Sequence, residues 1–243
     1  MWSGLLVCML VVGAMAFQPS VPFGASQPGE RHEPCCAPRY FTFNQVTTTT
    51  SVQDGSLLVE YDNAEGAYDA KFERIAVKLV IDYFNGTEVY LRLIEDYIKG
   101  VSYYILEHAG EDICFVGRTE GRFNEECLND DAQFLSEATL GDYDLVLDNW
   151  YVVSEDKTEH SVKSVQHEGC VPVGLLTRTF DPDTGKELKV DDSRVLDFKL
   201  GICDPDKYFK PPASCDEGRA VDKPTPQMLK YRRKGLFRRS ISE

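Results

Sequence analysis

The feature that most limits what this chain can fold into is a period-two alternation of apolar and polar residues, broken at short intervals by turn signals. Leu196, Phe198, Leu200 and Ile202 face one way while Asp197 and Lys199 face the other. Val89, Leu91 and Leu93 alternate with Tyr90, Arg92 and Ile94, so this stretch is partly apolar on both faces. Asp54-Gly55, Glu65-Gly66, Asn85-Gly86, Lys99-Gly100, Ala109-Gly110 and Asp183-Thr184-Gly185 read as turns. Helical signal is poor, and its best stretch, Asp131 to Ala138, is short. No internal repeat of 20 to 50 residues is visible. The prediction is all-β: an antiparallel meander closing toward a sandwich or barrel. Val101 to Leu106 offers apolar or aromatic surface to both faces. Either the outer face is covered by another layer or subunit, or the sheet curves around an apolar cavity; a plain sandwich core with scattered surface aromatics fits equally well. Alternation nominates Tyr104, Leu106, Leu196, Phe198 and Leu200 as inward-facing pocket residues, with the proviso that a one-residue slip exchanges the faces.

The N-terminus reads as an address. Leu5 to Val12 is apolar but too short to span a bilayer, and Ala14-Met15-Ala16 supplies a cleavage pattern. Residues 1–16 are therefore expected to be a signal peptide, followed by a flexible Pro/Gly/Ser-rich leader over 17–33, a β domain over 34–221 and a basic tail over 222–243. The mature protein is expected to be secreted or lumenal, without a membrane span. In that setting the seven remaining cysteines read as disulfide partners, with an odd one left over. No C-x-x-C pair supports zinc, and His32 near Cys35 and Cys36 is a weak cluster. Asn85-Gly86-Thr87 is a glycosylation sequon.

The formal net charge of −14 hides a larger asymmetry. From Asp222 onward there are seven Lys/Arg and two Asp/Glu, a tail of +5 on a body of −19. Such a body does not suit nucleic acid. Catalytic signatures are missing: there is no G-x-S-x-G, no H-E-x-x-H and no Gly-rich phosphate loop. The four histidines, His32, His108, His160 and His167, fall in the leader or at strand ends and loops. The chain is expected not to be an enzyme and to require no cofactor. Asp181, Asp183 and Glu187 place oxygen ligands around a Gly turn and are weak calcium candidates, though a hairpin turn explains them too. Diffuse calcium attraction by the acidic body is the broader expectation.

Four motifs then occur in order: Pro34-Cys35-Cys36-Ala37-Pro38, Gly169-Cys170-Val171-Pro172-Val173, Leu200-Gly201-Ile202-Cys203-Asp204-Pro205 and Pro211-Pro212-Ala213-Ser214-Cys215. Together they resemble the ependymin-related proteins over roughly Pro34 to Cys215. The resemblance implies curved antiparallel sheets forming an open half-barrel or sandwich around an apolar pocket, similar to bacterial lipoprotein carriers. It implies bridges Cys35–Cys170 and Cys114–Cys215, leaving Cys36, Cys127 and Cys203 unassigned. It also implies a glycoprotein, secreted or lysosomal, that dimerises, binds calcium weakly, and is linked to lipid-like ligands and cell–matrix contact. Two functions follow as expectations: a non-enzymatic carrier of hydrophobic, lipid-like ligands, or a calcium-dependent matrix adhesion protein without a carrier role.

Overall fold

The computed structural model of the chain describes residues 32–53, 55–83, 86–108, 110–119, 121–142, 144–216 and 219–221. The expected signal peptide, the leader up to residue 31, Asn85 and the basic tail lie outside the described residues. The last two leader residues are described, and His32 is stacked on Phe134.

Strands β1 (Tyr40–Gln53), β2 (Ser56–Asp69), β3 (Arg74–Tyr83), β4 (Thr87–Asp96), β5 (Val101–His108) and β6 (Glu111–Arg118) form one run of hairpins. A second run comprises β7 (Gln133–Leu140), β8 (Leu145–Val153), β9 (Glu159–Gln166), β10 (Pro172–Phe180) and β11 (Glu187–Leu200). Antiparallel pairing of β1 with β11 joins the two, and short β12 (Arg219–Val221) runs parallel to β6. All twelve belong to one open sheet, ordered β12-β6-β5-β4-β3-β2-β1-β11-β10-β9-β8-β7. The all-β prediction and the open half-barrel both describe this architecture.

This order places β6 and β7, neighbours in sequence, near opposite edges of the sheet. In a flat sheet ten strand spacings would separate them by roughly 48 Å. The connecting residues 119–132 would reach about 50 Å only if fully extended. They are not extended: Cys127 N bonds to Glu125 O, and Ala132 N to Asn129 O. The sheet therefore bends, and residues 121–132 form a strap across its concave side. Phe123 of the strap stacks on Tyr68 of β2, and Glu126 N donates to the Tyr68 hydroxyl. The chain just before β1 holds the strap, with Ala37 N bonded to Glu126 O, Leu128 N to Cys35 O, and a Cys36–Cys127 disulfide.

On the concave face, Phe41, Phe43, Tyr68, Val77, Leu79 and Leu91 form the main buried cluster, with Phe123 and Phe198 packed against it. On the convex face of β2–β6, Ala67, Ala76, Ile94 and Ile105 are covered by the segment after β11. That segment contributes Ile202, Phe209 from helix α1 (Pro205–Phe209) and Cys215, which is bonded to Cys114 of β6. Asp204 caps α1 through its carboxylate, and Arg92 donates to the carbonyls of Lys207, Tyr208 and Lys210 at the other end.

Three readings of the sequence change. Asp131 to Ala138 is not helical: residues from Gln133 pair with β8, and Phe134 lies opposite Trp150. Cross-strand packing overrides a local run of helix formers. Glu65-Gly66 is not a turn but the interior of β2; the other five glycines of the turn series do lie between strands. Gly66 is there because a Cβ on it would sit 2.3 Å from Phe43 Cζ and 3.0 Å from the Ala76 carbonyl oxygen. Gly66→Ala should therefore lower unfolding free energy by about 1–3 kcal/mol in a urea titration. Unchanged stability would show that Phe43 has room to move. The third change concerns β11. Asp197 has a φ of +48°, and the β1–β11 register shifts between Thr42 and Asn44. This bulge puts Leu196 opposite Asn44 on the convex face, 47% exposed, while Phe198 turns inward onto Phe41.

Candidate functional site

Following the strand register across the concave face reveals two halves of different chemistry. On β3–β6 the inward positions are mostly apolar: Leu79 lies opposite Leu91, Leu91 opposite Leu106, and Leu106 opposite Ile113, with Glu95 and Ser102 the buried polar exceptions. On β1, β11, β10 and β9 they are mostly polar. Thr47 and Ser193 share a hydroxyl hydrogen bond of 2.9 Å, Thr49 donates to Asp191 at 2.7 Å, and Ser161 and Thr177 are joined at 3.0 Å. Lys189 pairs with Asp191 at 2.9 Å. Glu60 and Asp62 of β2 are buried on the same face. Burying the hydroxyls and Asp191 is tolerable because these side chains bond one another across the strands.

Beneath the strap this polar half opens into a cavity of about 590 Å³. Strands β8–β10 supply Val152, Ser161, Lys163 and Leu175 as its floor, and Asn124 to Asp131 with the Cys36–Cys127 bridge close it from above. Its volume falls within the range of small-molecule sites, about 300–1,000 Å³. Lys163 is its distinctive group. Burial pushes the Lys163 ammonium below the ordinary lysine range, and the Glu126 carboxylate offsets part of that shift. Among the described residues no carboxylate forms an ion pair with it. Lys163 escaped sequence reasoning because a lone lysine in Glu159–Gln166 resembles any solvent-facing position. The only local hint is that it shares parity with Ser161 and Val165.

A second cavity of about 340 Å³ lies on the convex face, between β2–β6 and α1. Charged groups dominate it: Lys207 pairs with Glu65, whose carboxyl is held low chiefly by that bond, alongside Lys78, Arg92, Glu107 and Asp112.

The sequence-nominated residues fall as follows. Tyr104 is buried with Leu93 and Phe115, and Leu106 packs on the main cluster. Phe198 joins the aromatic cluster, Leu196 is on the convex face, and Leu200 has inward parity but is 72% exposed at the strand end. None of the five lines either cavity. Disulfides join Cys35 to Cys170, Cys114 to Cys215 and Cys36 to Cys127, leaving Cys203 as an exposed thiol among the described residues. Asp181 is committed to its own turn. Its Oδ1 accepts from the backbone N–H groups of Asp183 and Thr184 and from the Thr184 hydroxyl, which together hold its pKa low. Glu187 pairs with Arg178. His160 Nδ1 lies 2.6 Å from the Tyr151 hydroxyl.

The class of molecule so defined is a single bent β-sheet strapped across its hollow side. The chain belongs to the ependymin family, whose model matches residues 85–215. No curated protein matches it. Among solved structures it is similar to a LolA superfamily protein from Nitrosomonas europaea, at 11% identity and a TM-score of 0.31, covering 71% of this chain and 91% of that one. It is also similar to a domain named for outer-membrane lipoprotein sorting from Vibrio parahaemolyticus, at 7% identity and a TM-score of 0.30, covering 68% and 88%. No helix among the described residues is long and apolar enough to cross a membrane.

Proposed function

We propose that this protein is a secreted, non-enzymatic binder of lipid-like molecules that carry an anionic head group. The head group pairs with Lys163 beneath the strap, and the apolar portion lies against Val152 and Leu175. The observation behind this reading is the buried Lys163 ammonium on the floor of a cavity whose other lining groups are hydroxyls, amides, carboxylates, aliphatic side chains and the second ammonium of Lys157. An anion there would form a charge-assisted bond in a partly desolvated setting, where such bonds are strongest. Weak calcium binding and homodimerisation belong to the same reading. The formal charge of −14 supports the first. Family resemblance supports the second.

The test is displacement of a fluorescent fatty acid. Native protein should bind it saturably, and Lys163→Met should weaken binding about tenfold, a loss near 1.4 kcal/mol. A long-chain alcohol of equal length should lose nothing. Failure of native protein to take up any amphiphile, with calcium-dependent binding to collagen instead, would favour matrix adhesion. The same variant has a stability consequence of opposite sign. A lysine whose folded pKa lies below its unfolded value costs stability at every pH under the folded pKa. That cost fades as pH rises between the two values. At neutral pH Lys163→Met should therefore raise the unfolding free energy by about 1 kcal/mol, with the gain vanishing in strongly alkaline buffer.

A further inference from the structure

Outside both cavities, three side chains converge beside the turn between β9 and β10. Asp148 of β8 has a side chain only 10% exposed, and His167 Nδ1 lies 3.0 Å from its Oδ2. His32 Nδ1 lies 3.6 Å from Asp148 Oδ1, with a side chain 7% exposed. The three ligand atoms all fall within 4.8 Å of one another.

Their meeting follows from the covalent frame. His32 precedes Cys35 by three residues and His167 precedes Cys170 by three, so the Cys35–Cys170 bridge brings both imidazoles to one place. The β8–β9 register supplies the carboxylate: Asp148 lies opposite Val165, and His167 N bonds to Val146 O. The His32 ring is then held flat against Phe134, at a centroid distance of 3.7 Å and an angle of 4°. Phe134 in turn rests edge-on against Trp150.

We propose that His32, Asp148 and His167 bind one divalent transition-metal ion of the zinc type. Two imidazole nitrogens and one carboxylate oxygen are the donor set such ions favour, and three protein ligands leave a fourth tetrahedral position for water. Calcium does not suit this set, because it takes six to eight oxygen ligands. His167, at 39% exposure, leaves that fourth position facing solvent. The stacked His32 ring is already oriented, which lowers the ordering cost of binding. Little in the residue order marks the site, since the ligands are spread over 136 positions and no pair has short zinc-type spacing.

The test uses the full secreted chain carrying Cys203→Ser, because the exposed Cys203 thiol would compete for metal. Calorimetry with zinc chloride should show one saturable site per chain, and cobalt chloride should give a visible d–d absorption band. His167→Ala and His32→Ala should each weaken zinc binding about tenfold or more. Calcium chloride in excess should not displace the cobalt band. Thermal melts of the metal-free variants check that each is folded, and exposed His167 keeps the test intact should His32→Ala fail. Absence of a saturable site, or a site unaltered in a folded His167→Ala chain, would overturn the proposal and leave a His–Asp hydrogen bond only.

Discussion

Removing the Cys114–Cys215 bridge, as the double Cys→Ala variant, should cost about 2–5 kcal/mol of unfolding free energy. The bridge closes a separation of 101 residues, for which chain-entropy reasoning gives a value near 4.7 kcal/mol. Its position adds a local reason for a large effect. The segment carrying Ile202, Phe209 and Cys215 is the only described cover over Ala76, Ile94 and Ile105. Besides the bridge, that cover is held by Arg92 on three carbonyls and by the Arg74 guanidinium, which lies 4.1 Å from the Phe209 ring centroid. Equilibrium denaturation of the double variant beside native protein measures the loss. Identical midpoints would mean the cover docks unaided.

Phe41→Ala should be comparably severe, about 3–5 kcal/mol. Phe41 is 0% exposed, and its ring meets Tyr68 at 5.1 Å, Phe198 at 4.7 Å and Phe43 at 6.0 Å. Truncation leaves a hole bordered by strands β1, β2 and β11 at once, where rings on three strands cannot all move inward. Phe41→Leu should cost clearly less, because most of the volume is kept. Chemical denaturation of both variants decides the matter; a loss below about 1 kcal/mol for Phe41→Ala would show that the cluster collapses around the gap.

Much of the architecture was legible in the residues because a sheet is written locally. Parity along Val89 to Leu93 and Val101 to Leu106 places side chains on the correct faces, and Lys99-Gly100 closes that hairpin, with Gly100 at a φ of +66°. What parity cannot encode is a bulge. Asp197 in the left-handed region separates Leu196 from Phe198, and no composition rule distinguishes it from its neighbours. Nor does a single strand reveal its partner. Gly66 looks like a turn residue until Phe43 arrives across the β1–β2 pair. The cavity was less legible still. It is assembled from β8–β10 and a strap that precedes them in the chain, so Lys163 and Glu126 meet only in three dimensions. Cys36 and Cys127 were visible as extra cysteines, but their pairing depended on the path of the strap.

That path carries one more consequence. Residues 121–132 cross the hollow and are fastened near their middle by Cys36–Cys127. A crossbar riveted at its centre cannot swing aside like a flap. Its two arms are instead pinned separately, Phe123 on Tyr68 and Leu128 in the cluster around Trp150.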